Sequence, residues 1–76
     1  MVSKQDETFL AIAQAGSVSK AAQGLYLSQP AVSRSLKRLE EDLGVQLFDR
    51  EAAPLRLTQA GERYLRYVRE NQERER

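Results

Sequence analysis

Serine and glycine punctuate the first half of this chain at intervals that leave room for little except short helices. Ser3, Ser17 and Ser28 each precede a stretch whose apolar residues recur at helical spacing, and Gly16 and Gly44 follow two of those stretches. A serine just before a helix accepts a hydrogen bond from a first-turn amide that otherwise has no partner. A glycine just past the end takes the left-handed conformation that closes the last turn at little steric cost. The first helix is therefore expected over about residues 4–15, with Ser3 and Asp6 as a capping pair and Phe9, Ile12 and Ala13 facing inward. Ser17 opens a shorter second helix in which Val18, Ala21, Ala22 and Leu25 complete an apolar face. Its two alanines let a neighbouring helix approach closely, as a steep crossing of two short helices requires. Ser28 opens the third, Pro30 sits in the first turn where its missing N–H costs nothing, and Gly44 ends it, giving residues 29–43. At 3.6 residues per turn Val32, Leu36, Leu39 and Leu43 share one face, and Pro30, Ser33, Arg34 and Lys37 share the opposite one.

The second half reads differently. Residues 55–58 alternate apolar and polar side chains, residues 47–50 lead with Leu47 and Phe48, and Glu51, Ala52, Ala53 and Pro54 lie between the two segments, which reads as a small hairpin. Thr58 caps a last helix carrying Ala60, Tyr64, Tyr67 and Val68 on one stripe, with Leu65 beside them. From Arg69 onward the stripe stops while helix-forming residues continue, as in a connector or a frayed end. The order is helix, short helix, helix, hairpin, long helix. That is the order of a winged helix-turn-helix, a mainly α fold with a three-helix core, a small β-hairpin wing and a long C-terminal helix. Residues 1–58 make the winged unit and residues 59–76 the linker or dimerisation helix.

Composition removes most other readings. Seventy-six residues make one small domain, and 41% apolar with 30% charged residues is ordinary for a folded one. Without cysteine or histidine the chain has no thiol nucleophile, no imidazole base and no usual zinc site, so neither catalysis nor a metal or cofactor is expected. The longest uninterrupted apolar run covers only residues 9–13, against the roughly 20 a spanning helix needs, and a cytosolic location is expected. Net charge is only +1, but its distribution is uneven: residues 17–39 hold Lys20, Arg34, Lys37 and Arg38 and no acid. A local block of that kind attracts phosphate where a mixed surface does not. Glu40, Glu41 and Asp42 follow directly; consecutive side chains splay around a helix, so this cluster is read as solvated rather than catalytic.

The segment AAQGLYLSQPAVSRSLKRLEEDLGVQLFDR, followed by LTQAG, resembles the N-terminal DNA-binding domain of LysR-type transcriptional regulators. The matching features include Ala21-Ala22, Ser28-Gln29-Pro30, Val32-Ser33, Leu39-Glu40, Leu43-Gly44, Leu47-Phe48, Arg50, Leu57-Thr58 and Ala60-Gly61, all in register. So many spaced matches across three-quarters of the chain are far more specific than a lone helix-turn-helix pattern. The resemblance implies a bacterial homodimer that binds double-stranded DNA at an interrupted palindromic operator. In that family the third helix enters the major groove, the wing lies over the adjoining minor groove, and the fourth helix pairs antiparallel with its partner's. Family members also carry a larger effector-binding domain, absent from this chain, so a response to a small-molecule effector is not carried onto these residues. Two departures stand out. The wing tip has Ala53 where the family usually has Arg or Lys, and Asp6 replaces a commonly apolar residue, which is expected to leave the first turn less firmly anchored.

With the resemblance, roles attach to single residues. Gln29 and Arg34 suit bidentate pairing with adenine and guanine, Ser33 lets the backbone approach, and Pro30 offers an apolar surface to a thymine methyl; these four are the expected base contacts. Ser17, Ser19, Lys20, Ser28, Lys37 and Arg38 suit phosphate anchoring, although Ser17 and Ser28 are helix caps as well and Arg38 can instead pair with Asp42. Arg50 and Arg56 bracket the hairpin; either reaches a phosphate, or Arg50 pairs with an acid among Glu40, Glu41 and Asp42. Tyr64, Leu65, Tyr67 and Val68 are the expected dimer seam, shared with the domain's own core. A winged helix that binds protein instead would want an apolar centre to this surface, which residues 17–39 do not supply.

Overall fold

The computed structural model describes residues 3–74. Its elements are α1 (Lys4–Ala15), α2 (Val18–Leu25), α3 (Gln29–Leu43), β1 (Phe48–Asp49), β2 (Arg56–Leu57) and α4 (Gln59–Arg74). Each helix starts where a hydroxyl residue stands. Ser3, Ser17 and Ser28 accept from the amides of Asp6, Lys20 and Ala31 at 3.1, 3.2 and 3.2 Å, and Thr58 accepts from the Gly61 amide at 3.0 Å. Gly16 and Gly44 close α1 and α3 at φ +69° and +73°, each donating its amide back into the last turn. α2 has no glycine at this point. Tyr26 takes the left-handed conformation itself, at φ +58°, and its side chain stands 95% exposed in the turn before α3.

Packing follows the apolar faces. Phe9, Ile12, Ala21, Ala22, Val32, Leu36, Leu39, Leu47, Phe48 and Val68 form one buried cluster. Each large side chain in it is worth about 1.5–3 kcal/mol relative to exposure. The alanines of α2 lie at 2% and 4% exposure, the close approach their size permits. Phe9 meets Phe48 on one side and the edge of Tyr64 on the other, with ring centroids 5.5 and 5.2 Å apart, so one side chain of α1 joins wing and last helix. Leu43, expected to share the inner face of α3, lies one turn too far along and is 41% exposed.

The hairpin is antiparallel, pairing Phe48 with Leu57 and Asp49 with Arg56. It is shorter than the segments 47–50 and 55–58 read from the sequence, for an identifiable reason. The amides the ladder needs are used elsewhere or missing: Leu47 N–H goes to the Glu40 carboxylate at 2.7 Å, Glu51 N–H goes to the Asp49 carboxylate at 3.0 Å, and Pro54 has no N–H, while Leu55 N–H, which faces away from β1, reaches the Gly16 carbonyl at 3.0 Å. A ladder cannot extend through amides that donate away from it. The bond from Leu55 to Gly16 fastens the wing to the turn between α1 and α2. α4 is seated by a different device, because a Cβ on Gly61 would lie 2.0 Å from the Leu47 carbonyl oxygen. Only glycine permits that approach of helix to strand.

Candidate nucleic-acid interface

The third helix presents its unburied side as a polar, basic face. Val32, Leu36 and Leu39 are buried, while Gln29, Pro30, Arg34, Lys37 and Arg38 are exposed and Ser33 is half-buried. Arg34, Lys37 and Arg38 line one depression together with Ala31 and Ser35, and Glu41 and Asp42 stand at its far end. Gln29 belongs to a second depression, walled by Ser17, Ser19 and Lys20 of α2 and by Ala52, Ala53 and Pro54 of the wing. Ser33 and Lys37 face a third, beside Arg50 and the loop of Val45 and Gln46. The candidate base contacts and most candidate phosphate contacts thus adjoin along α3, with the N-terminus of α2 at one end and the hairpin alongside. Ser17 and Ser28 hold first-turn amides with their hydroxyls, which leaves the remaining N–H groups of those turns to an anion. Arg56 is exposed on β2, in register with Asp49.

Arg50 resolves the two alternatives left by its sequence position. It pairs with Glu40 while keeping its side chain 48% exposed. Glu40 corrects the reading of a solvated acidic cluster: it is only 8% exposed, and its second oxygen holds Leu47 N–H. Glu41 and Asp42 do remain exposed. The difference lies in the chain after Gly44, which doubles back past one flank of α3 and covers only the first of the three acids. What Glu40 does chemically is hold the start of the hairpin against α3 from both ends of the four-residue span Leu47 to Arg50.

The expected dimer seam divides. Val68 is 1% exposed within the single chain and is a core residue, not a surface one. Tyr64 and Leu65 are partly buried against the same core. Tyr67 alone of the four is well exposed, at 57%. Sequence reasoning missed its neighbours: Leu43 and Val45 are 41% and 44% exposed and join Tyr67, Ala60 and Arg63 in an apolar groove. The signal was available, since an apolar residue immediately after a helix-ending glycine has no place on that helix's inner face. Asp6 is also corrected. It does not loosen the first turn, because its carboxylate accepts a hydrogen bond from the Tyr64 hydroxyl across 58 residues of sequence. Burial, then that bond and the Asp6 charge, push the Tyr64 hydroxyl well above its ordinary pKa, so it stays a donor.

Among the described residues no group of acids is placed to hold a metal ion, and no helix is long and apolar enough to cross a membrane. Residues 3–62 match the family model described as bacterial regulatory helix-turn-helix protein, lysR family. The chain is 48% identical over 64 residues to the HTH-type transcriptional regulator MetR of Haemophilus influenzae, covering 84% of this chain and 21% of that protein. It is similar to the LysR family transcriptional regulator VV2_1132, with a TM-score of 0.87 and 35% identity over 93% of this chain and 26% of that one. It is similar also to the CbnR DNA-binding domain solved in complex with DNA, with a TM-score of 0.85 and 40% identity over 92% of this chain and 80% of that one. The chain spans about a fifth of the length of the curated relatives it matches. Matching sequence over most of its length and matching fold place it together: this chain belongs to the LysR family of bacterial regulatory helix-turn-helix proteins.

Proposed function

We propose that these residues are the DNA-reading unit of a transcription regulator, binding double-stranded DNA as a homodimer at an interrupted palindrome. The observation that carries this is the exposed face of α3, where Arg34, Lys37 and Arg38 gather beside Ser33 with no acid earlier in residues 17–39. Gln29, Pro30, Ser33 and Arg34 read bases; Ser17, Ser19, Lys20, Ser28, Lys37 and Arg38 hold phosphates; and Arg50, already paired to Glu40, offers its exposed edge to the backbone with Arg56. The likeness to a DNA-binding domain solved on DNA supports the same reading. The second copy docks on α4 through Tyr67, with Leu43 and Val45 added to the seam and Val68 removed from it. Residues 1–58 read, and residues 59–76 dimerise with the help of Leu43 and Val45. A regulator of this kind works in the cytoplasm on the nucleoid. A small-molecule effector enters only where such a unit is joined to a larger domain.

The test is selection from a pool of random duplexes at two salt concentrations. A two-fold symmetric motif whose retention falls with salt is the expected result, since each phosphate contact releases counterions. Arg34→Ala is expected to weaken binding to the selected motif by about 1–3 kcal/mol and relax one base position, while Lys37→Ala weakens all sequences alike. Equal losses on selected and random DNA for Arg34→Ala would make it a phosphate anchor. No retained DNA at either salt would overturn the reading in favour of a protein partner on the same face.

A further inference from the structure

α4 meets the rest of the domain along the line of Gly61 and Val68, with Leu65 partly buried to one side of it and Tyr64 to the other. Gly61 sits against the Leu47 carbonyl and Val68 enters the core, and seven residues is close to two helical turns, so the two contacts lie almost directly above one another. Gly61 and Val68 fix where the helix lies, and the side chains flanking them set its rotation about its own axis. Tyr64 falls about 60° to one side of that line. Its ring packs edge-on against Phe9, its hydroxyl donates to Asp6 in the first turn of α1, and its other side meets the ring of Tyr67 at 5.7 Å. Tyr67 lies further round in the same direction and is the exposed aromatic of the groove with Leu43 and Val45.

Resting on the reading that two copies bind DNA through α4, we propose that Asp6 is a positioning residue. By holding the Tyr64 hydroxyl it sets the roll of α4, presents Tyr67 to the second copy, and so fixes the separation at which the two α3 helices meet their half-sites. The chemistry suits the task. A hydrogen bond placed to one side of the Gly61–Val68 line acts as a lever against rotation, and it adds a directional restraint to the apolar Phe9 contact. Each base pair added between half-sites turns one relative to the other by about 35°, so a loosened roll is read directly as tolerance of altered spacing.

The experiment uses the 76-residue chain, the single variants Asp6→Leu, Tyr64→Phe and Asp6→Asn, of which Asp6→Asn keeps an oxygen that accepts from Tyr64, and the double variant joining Asp6→Leu to Tyr64→Phe. Sedimentation without DNA reads self-association, and binding to symmetric duplexes of the selected motif at the best spacing and at one base pair more or less reads discrimination. Thermal unfolding checks that each variant folds. Asp6→Leu and Tyr64→Phe are each expected to weaken self-association and to lower the preference for the best spacing by about fivefold, with binding to a single half-site unchanged. The double variant should be no worse than either single one, and Asp6→Asn should recover most of both effects. Unchanged spacing preference and self-association in Asp6→Leu would overturn the proposal, as would an Asp6→Asn no better than Asp6→Leu. A wild-type chain that binds half-sites but neither self-associates nor discriminates spacing overturns it too, and leaves DNA reading intact. If the wild type binds no duplex, the DNA reading falls, and self-association alone then decides the role of Asp6.

Discussion

Glu40 is a buried acid in a domain with little interior to spare. Its carboxylate serves both Arg50 and the Leu47 amide, and both would lose a partner if it were shortened. Glu40→Ala is therefore expected to cost about 2–3 kcal/mol of stability in urea unfolding, because hydrogen bonds to a charged group are the strong ones and the amide is left unpaired. Arg50→Ala should cost less, since its side chain is half in water and Glu40 keeps the amide. The sequence carried the candidate pairing but not its depth. Three acids in a row look alike on a helical projection, and only the return of the chain after Gly44 tells the first from the others. Asp6 hides for the same reason: its partner lies 58 residues away, and no local pattern connects them.

Element boundaries were far more legible, because they are fixed by local chemistry. Serine and threonine caps with two glycine terminators place the starts of all four helices and the ends of two, and the apolar spacing names most of the core. What local rules do not supply is how α4 sits. Gly61 was legible only as part of a family pattern, while its physical role is a helix-to-strand contact. Gly61→Ala is expected to lose at least about 2 kcal/mol, read as a fall in the urea midpoint, since the added methyl must push α4 off the Leu47 carbonyl. Gly24 offers the contrast. Nothing lies within 4 Å of a Cβ built there, in the body of α2, so Gly24→Ala should instead raise stability by about 0.5–1 kcal/mol. The strands erred the other way, drawn longer than they are because side-chain pattern reports what faces inward and not where the amides donate.

At the scale of the molecule, charge and shape divide the work. The cations of residues 17–39 lie along α3 and the N-terminus of α2, whereas the wing tip offers Ala52, Ala53 and Pro54. On the proposed reading, selectivity rests on α3, and the tip adds surface without adding attraction. Ala53→Arg is expected to steepen the dependence of log affinity on log salt by about one unit, measured by titration at several salt concentrations. An unchanged slope would mean that the tip stays clear of phosphate. The wing is not a loose arm, however. Leu55 N–H is bonded to the Gly16 carbonyl, and a Cβ on Gly16 would lie 3.1 Å from that of Pro54, so tip and turn are already in contact. The entropy of ordering this loop is consequently spent when the chain folds rather than when a ligand arrives. Whatever meets this surface finds it preorganised, and association need not carry the heat-capacity signature of a loop that folds on binding.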